Sequence, residues 1–220
     1  MDSYLKHYIN GKWVDSIGGK RHEVISPSTE EPCTEITLGT QADVDAAVSA
    51  ARQAFKTFSQ TSREERIALM NRIIEEYKKR IPDFAKSMAA EMGAPVSFAT
   101  MAQAPAGLGG FLGTLPALEN FAFKEQHGAN TVVYEPIGVV GLITPWNWPL
   151  NQIALKVAPC IAAGNTMVLK PSEECPGNAA IFAEVMDAAG VPPGVVNLVQ
   201  GDRPTVGNAI SAHPDVDMVS

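Results

Sequence analysis

Short unbroken apolar runs alternate with helical segments from residue 139 to the last residue of the chain. The apolar runs cover residues 139–144, 166–170, 195–199 and 216–219. The segments with helical spacing are 149–163, 178–190 and 204–212. Strands without polar alternation are buried on both faces, and strands joined through helices run parallel. The pattern therefore predicts an α/β fold with an open parallel sheet, whose ligands bind beyond the carboxyl ends of the strands.

The first 120 residues do not show this alternation of apolar runs and helical segments. Residues 8–14 predict a hairpin around Asn10-Gly11, and the first 38 residues are interpreted as short strands and turns. Helical spacing predicts one amphipathic helix after Thr40 and a second after a capping box at residues 62–65, with a start or kink at Pro82. Residues 102–113 are rich in alanine and glycine and predict a closely packed helix. Their glycines do not form a dinucleotide fingerprint, because the spacing is wrong and no buried strand precedes them.

Composition excludes several classes of protein. A formal net charge of -7 argues against a nucleic-acid partner. The apolar runs are too short to span a bilayer, and the N-terminus lacks the pattern of a secretory signal. Three scattered cysteines predict no disulfide framework and favour a reducing, cytoplasmic setting. The four histidines have no paired spacing, so we expect no metal site and predict that each lies at the surface or caps a helix.

The first strand of the predicted sheet ends in the sequence TPWNWP, residues 144–149. Two prolines bracket a non-helical corner on which Asn147 lies between two indoles. An asparagine here could simply cap the following helix. A side-chain amide held in an apolar pocket could instead stabilise a developing oxyanion. The flanking prolines and tryptophans favour the second interpretation, because a cap does not require them.

The next two strands also end in polar or glycine-rich segments. Lys170 and Glu173 follow the second strand, where they could form a surface ion pair of little energetic value or bind the hydroxyls of a ribose. The third strand leads into residues 201–207. Gly201 is interpreted as permitting a tight turn and Gly207 as letting a helix approach closely. No Gly-Lys-Ser/Thr follows, so this segment is not a phosphate-binding P-loop.

Taken together, the motifs resemble the aldehyde dehydrogenase superfamily over essentially the whole chain. The segments that carry the resemblance are YINGKW at 8–13, SPST at 26–29, EPIGVVG at 135–141, TPWNWPL at 144–150, GNTMVLKPSE at 164–173 and GVVNLV at 194–199 followed by Gly201. The resemblance implies a Rossmann-like cofactor domain. It implies NAD as cofactor, with NADP not excluded, and a small-molecule aldehyde as substrate.

The resemblance also implies individual roles. Asn147 matches the asparagine whose amide, with the backbone N–H of a cysteine, forms the oxyanion hole, and Lys156 matches a lysine linked to proton relay. The adenosine ribose would be held by Lys170 and Glu173, whose carboxylate favours NAD because it would repel a 2′-phosphate. Further residues are expected to contact the cofactor: Ile143, Thr144, Pro145, Trp146, Asn147, Ser172, Gly201, Arg203 and Gly207. Three residues are expected to line the aldehyde tunnel: Trp148, Gln152 and Leu155.

Two departures from the family pattern bear on activity. Arg203 stands in a turn where the family often has glycine. The family's cysteine nucleophile and general-base glutamate match no residue here, and both are expected beyond residue 220. None of the chain's own cysteines is expected to replace that nucleophile: Cys33, Cys160 and Cys175.

These implications give a domain hypothesis. Residues 1–117 and 137–220 are expected to form an incomplete cofactor-binding domain, truncated in mid-sheet, and 118–136 an arm that joins subunits in a homo-oligomer, a dimer or tetramer. The catalytic domain is expected to be absent. The chain is therefore interpreted as the N-terminal part of an NAD-dependent aldehyde dehydrogenase, inactive alone. The alternatives are a catalytically inert dinucleotide-binding or oligomerisation module and a structural assembly protein.

Overall fold

A computed structural model describes residues 2–220 of the chain. The strands are β1 Asp2–Tyr4, β2 Lys6–Ile9, β3 Lys12–Asp15, β4 Lys20–Ile25, β5 Pro32–Leu38, β6 Lys124–His127, β7 Asn130–Val133, β8 Val139–Ile143, β9 Thr166–Lys170, β10 Val196–Leu198 and β11 Met218–Val219. The helices are α1 Gln41–Phe58, α2 Arg63–Lys79, α3 Ile81–Met92, α4 Val96–Phe98, α5 Ala104–Asn120, α6 Pro149–Ala163, α7 Gly177–Ala188 and α8 Asn208–Ala212. Two π-helical turns, Ala99–Gln103 and Arg203–Gly207, precede α5 and α8.

The main sheet has six strands in the order β11-β8-β9-β10-β2-β3. The pairs β11–β8, β8–β9 and β9–β10 are parallel, which confirms the predicted Rossmann-like parallel sheet. The N-terminal hairpin β2–β3 extends the sheet antiparallel beyond β10. Asn10 and Gly11 both have positive φ, as the predicted two-residue turn requires. The other sheets are β1-β5-β4 and the β6–β7 hairpin within the predicted arm.

Helices cover both faces of the main sheet, as the unbroken apolar strands require. On one face, α1 and α8 pack on side chains such as Val139 and Val168. On the other, α2, α5, α6 and α7 pack on the alternate side chains, such as Val140 and Leu169. Across residues 2–220, no helix combines the length and apolar character needed to span a bilayer.

Helix α5 lies unusually close to its neighbours, as the alanine- and glycine-rich sequence predicts. A Cβ atom on Gly107 would come within 2.2 Å of the Tyr77 hydroxyl and 2.9 Å of the Leu150 Cβ. A Cβ atom on Gly110 would lie 2.9 Å from the Cβ of Ala154. These contacts place the start of α5 directly against α6, whose first residue, Pro149, is the last residue of the TPWNWP segment.

Three local predictions need correction or sharpening. His7 was expected at the surface or as a cap, but it is fully buried because β2 pairs inside the sheet. Its Nδ1 accepts a hydrogen bond from the Gln200 N–H at 3.2 Å. Burial lowers the pKa of the imidazole. Pro82 marks a start rather than a kink, since α3 begins at Ile81. The predicted helix over 204–212 is a π-helical turn followed by the short α8.

Candidate functional site

The carboxyl ends of β8, β9 and β10 lie side by side at one edge of the sheet. The Thr144 N–H donates to the carbonyl of Lys170 at 3.1 Å, so the first two candidate segments are joined where their strands end. The Thr144 hydroxyl is buried, and no residue of 2–220 forms a hydrogen bond with its Oγ1. A buried hydroxyl in that state is costly unless a ligand or solvent completes its hydrogen bonding.

Residues 145–148, hereafter the corner, project from this edge. Pro145, Trp146 and Asn147 are exposed, whereas Trp148 is half-buried and packs edge-on against Phe98 with ring centroids 5.7 Å apart. Helix α6 has Trp148 as its N-cap residue and no side-chain cap. The capping role considered for Asn147 is therefore wrong. The apolar pocket expected around its amide is not formed by residues 2–220, because the side chain is exposed to solvent.

Behind the corner lies a residue that sequence reasoning missed. The buried Gln103 donates a hydrogen bond from Nε2 to the backbone carbonyl of Asn147 at 3.3 Å. The sequence shows only that Gln103 is a polar residue within an alanine- and glycine-rich segment. This pattern does not predict a hydrogen-bond partner 44 positions away.

Lys170 and Glu173 form an ion pair of unusual asymmetry. Lys170 is 3% exposed, and its Nζ donates to the Glu173 Oε2 at 3.0 Å and to the Pro171 carbonyl at 2.8 Å. Glu173 is 25% exposed. An ammonium has three protons, so one remains to donate to a hydroxyl, and the carboxylate keeps acceptor capacity. The pair is thus unlike the exposed ion pairs that contribute little.

The segment after β10 meets one expectation for its glycines and contradicts another. A Cβ atom on Gly201 would lie 2.2 Å from the Val206 Cγ2, so the close turn requires glycine there. A Cβ atom on Gly207 would meet only ordinary contacts, with Arg203 Cγ nearest at 3.7 Å, so close helix approach does not explain Gly207. Asp202 accepts from the Thr205 N–H at 2.8 Å and caps the turn, and Arg203 is exposed beside it.

Helix α6 carries the remaining candidates on two faces. Trp148, Gln152 and Leu155 recur at intervals of four and three residues and so share one side of the helix, with Leu155 exposed. Lys156 turns towards β11, where its Nζ donates to the Ser220 Oγ at 2.8 Å. The three tunnel candidates therefore share the side of α6 that begins at the corner. Lys156 is bonded to the residue after β11, and it lines one cavity together with Leu155 and Ser220.

The cysteines lie away from the corner. Burial raises the pKa of the Cys160 thiol to about 11, even though the nearby Lys156 acts in the opposite direction. Burial also raises the pKa of Cys175, whose side chain is 1% exposed beside the start of α7. Cys33 lies on β5, outside the main sheet. High thiol pKa values make Cys160 and Cys175 poor nucleophiles at neutral pH.

Comparisons with known proteins identify the family of the chain. The model of the aldehyde dehydrogenase family matches residues 13–220. The chain is 52% identical to 3-succinoylsemialdehyde-pyridine dehydrogenase from a Pseudomonas species and 48% identical to a putative aldehyde dehydrogenase of Staphylococcus aureus. Both alignments cover 100% of this chain but 46% of the relative, so the chain spans about half the length of these curated relatives.

Solved structures give the same result. An aldehyde dehydrogenase from Bartonella henselae superimposes with a TM-score of 0.97 at 47% identity, covering 100% of this chain and 47% of that one. Aldehyde dehydrogenase C from Pseudomonas syringae, solved with NAD+ and octanal, gives 0.96 at 45% identity, covering 98% and 44%. Sequence and fold therefore agree, and the chain belongs to the aldehyde dehydrogenase family.

Proposed function

We propose that this chain supplies the cofactor-binding half of an NAD-dependent dehydrogenase that oxidises an aldehyde to a carboxylic acid. The observation that carries the proposal is the shared sheet edge: the Asn147 corner and the Lys170–Glu173 pair follow adjacent parallel strands. An amide donor beside a hydroxyl-binding ion pair suits a dinucleotide and a carbonyl substrate that react side by side.

The described residues fit NAD. Lys170 has a proton available for a ribose hydroxyl, and Glu173 can accept from one, so that pair would hold the adenosine ribose. Backbone and side-chain groups of 143–146, including the unpartnered Thr144 hydroxyl, would face the nicotinamide side. Ser172, Gly201, Arg203 and Gly207 would complete the cofactor contacts. When bound, NAD accepts a hydride from the substrate.

Asn147 would act on the substrate. A nucleophile that attacks an aldehyde leaves a negatively charged oxygen, and the exposed amide of Asn147 can donate a hydrogen bond to it. Cys160 is half-buried and Cys175 is buried, and both thiols have raised pKa values. Cys33 lies outside the main sheet, so the nucleophile would come from residues outside this chain.

The substrate would approach along the face of α6 that carries Trp148, Gln152 and Leu155. Two of these side chains are large and apolar, which favours an aldehyde with an apolar body, like the octanal bound in the Pseudomonas syringae enzyme. Lys156 would hold or move a proton at Nζ, through the hydrogen bond that it forms with the Ser220 hydroxyl.

Residues 118–136 would form an arm that joins subunits of a homo-oligomer, and residues 1–117 and 137–220 the cofactor domain. The arm presents exposed Val132, Val133 and Tyr134, which favour burial against another protein surface. Arg63 and Arg66 lie 5.8 and 5.0 Å from the centroid of the Phe123 ring and anchor its base. The small number and wide spacing of the cysteines favour a reducing cytoplasmic setting.

Formation of NADH upon addition of an aldehyde tests the proposal. A polypeptide that continues this chain to the length of its relatives should produce NADH, and the 220-residue chain alone should not. NADH formation by neither polypeptide, with dinucleotide binding intact, would instead favour an inert binding module.

A further inference from the structure

Gln103 occupies a position that the fold makes costly. It is the last residue of the π-helical turn Ala99–Gln103, just before α5, and its side chain is 3% exposed. Single π-helical turns are rare and occur frequently at functional sites. The Oε1 atom of Gln103 has no hydrogen-bond partner among residues 2–220. An amide buried in that way destabilises the fold relative to an apolar side chain of the same size.

The compensating contact of this side chain is with the corner. Nε2 of Gln103 donates to the carbonyl of Asn147 at 3.3 Å. The main-chain hydrogen bond at the start of α6 joins the Gln152 N–H to the carbonyl of Trp148 at 3.0 Å, so the Asn147 carbonyl precedes the helix's own bonding pattern. Gln103 therefore restrains the main chain at the residue where helical hydrogen bonding does not.

A second contact from the same region holds the next residue. Phe98, which immediately precedes the π-helical turn, packs edge-on against Trp148 at an interplanar angle of 79°. Gly107 allows α5 to lie against Leu150 of α6, which keeps the turn close to the corner. The corner is thus held from behind by one hydrogen bond and one ring contact, while the side chain of Asn147 is exposed.

We propose that Gln103 is a positioning residue: it fixes the main chain of Asn147 so that the Asn147 amide points at the developing oxyanion. The inference rests on the proposed function, because it assumes that Asn147 donates to the substrate oxygen. A donor on a short unrestrained corner would sample many orientations. A preorganised donor avoids that reorganisation when the reaction occurs.

The test uses the complete dehydrogenase, meaning a polypeptide that continues this chain to the length of its relatives. Gln103→Met in that polypeptide keeps the length of the side chain and removes the hydrogen-bond donor. Loss of one hydrogen bond predicts a kcat about three- to tenfold lower, with KM for NAD unchanged. Deuterium uptake at the amides of residues 146–148 should rise. Thr100→Val is the matched control: it removes a 2.7 Å bond to the Val96 carbonyl within the same region and does not touch the corner.

The double variant separates positioning from general loss of structure. In an Asn147→Ala background no amide remains to be aimed, so Gln103→Met should lower kcat no further. An equal additional loss in that background would overturn the inference, as would an unchanged kcat in Gln103→Met alone. Asn147→Ala by itself reports on the proposed function, since full activity there contradicts the role of Asn147 whatever Gln103 does.

Gln103→Glu provides a second variant if Gln103→Met does not fold. An ionised carboxylate has no proton to donate to the Asn147 carbonyl, whereas a protonated carboxyl has one. The ratio of its kcat to that of the parent enzyme should therefore rise as the pH is lowered. A ratio that does not change with pH would contradict the inference.

Discussion

The Nζ atom of Lys170 lies 3.0 Å from Oε2 of Glu173, and the lysine is nearly fully buried while the glutamate is one-quarter exposed. Burying a lysine is costly unless its protons are bonded, and the Pro171 carbonyl and Glu173 satisfy two of them. The pair is therefore preformed, and its accessible partner is the carboxylate.

That arrangement predicts cofactor preference. Glu173→Gln removes the negative charge that would repel a 2′-phosphate but keeps the size of the side chain. The ratio of kcat/KM for NAD to that for NADP should fall by about tenfold, which corresponds to about 1.4 kcal/mol. Glu174→Gln, at the exposed neighbouring position, is the control and should leave the ratio as it is. Equal ratios in the parent and Glu173→Gln would exclude the role of Glu173.

The α5–α6 contact predicts opposite effects for two alanine substitutions on one helix. Gly107→Ala would place a Cβ atom 2.9 Å from the Leu150 Cβ of α6 and 2.2 Å from the hydroxyl of Tyr77 on α2, so α5 must move away from both helices. The free energy of unfolding should fall by about 1–3 kcal/mol. Gly109→Ala has open space around it and should raise that free energy by about 0.5–1 kcal/mol. Urea unfolding measures both, and similar values for the two variants would refute the packing argument.

Glu91 predicts a dependence of stability on pH. Burial raises the pKa of its carboxyl from 4.5 to about 7, although hydrogen bonds from Thr34, Gly177 and other donors act in the opposite direction. Between about pH 4.5 and about pH 7, the Glu91 carboxyl is therefore largely protonated in the folded state and largely ionised in the unfolded state. The contribution of Glu91 to the free energy of unfolding should fall across that window.

Glu91→Gln tests this dependence, because glutamine does not titrate and can still accept from the Gly177 N–H. The decline in unfolding free energy between pH 4.5 and pH 7 should be smaller in this variant than in the parent. Glu119→Gln, at an exposed position on α5, is the control. A decline of the same size in Glu91→Gln would show that the slope has another origin.

Local patterns predicted the elements around the site well. Helix α6 and strand β9 have the same bounds in the structure as in the sequence prediction, because unbroken apolar runs and a proline start are local signals. Lys170 and Glu173 were also expected to act as a pair, because both follow the same buried strand. The buried state of His7 was missed because it depends on pairing between β2 and β10, about 190 positions apart. Gln103 was missed because its contact with the Asn147 carbonyl also joins distant parts of the chain, 44 positions apart.

The accessibility of Asn147 was also mispredicted. Prolines and indoles on both sides suggested an enclosed amide, but residues 2–220 leave it exposed. Neighbours in sequence describe the stiffness of a corner, whereas enclosure depends on what packs over it. The residues of this chain build the corner and hold it from behind, and they leave its outer side open.

The most direct test of the account is the kcat for aldehyde oxidation of Asn147→Ala in the complete dehydrogenase, measured by NADH formation alongside the Kd for NAD. Loss of one oxyanion donor should lower kcat by about a hundred- to a thousandfold. The Kd for NAD should stay within about twofold of the parent value, because the Lys170–Glu173 pair is unchanged. A kcat within about threefold of the parent would contradict the central claim that Asn147 stabilises the oxyanion.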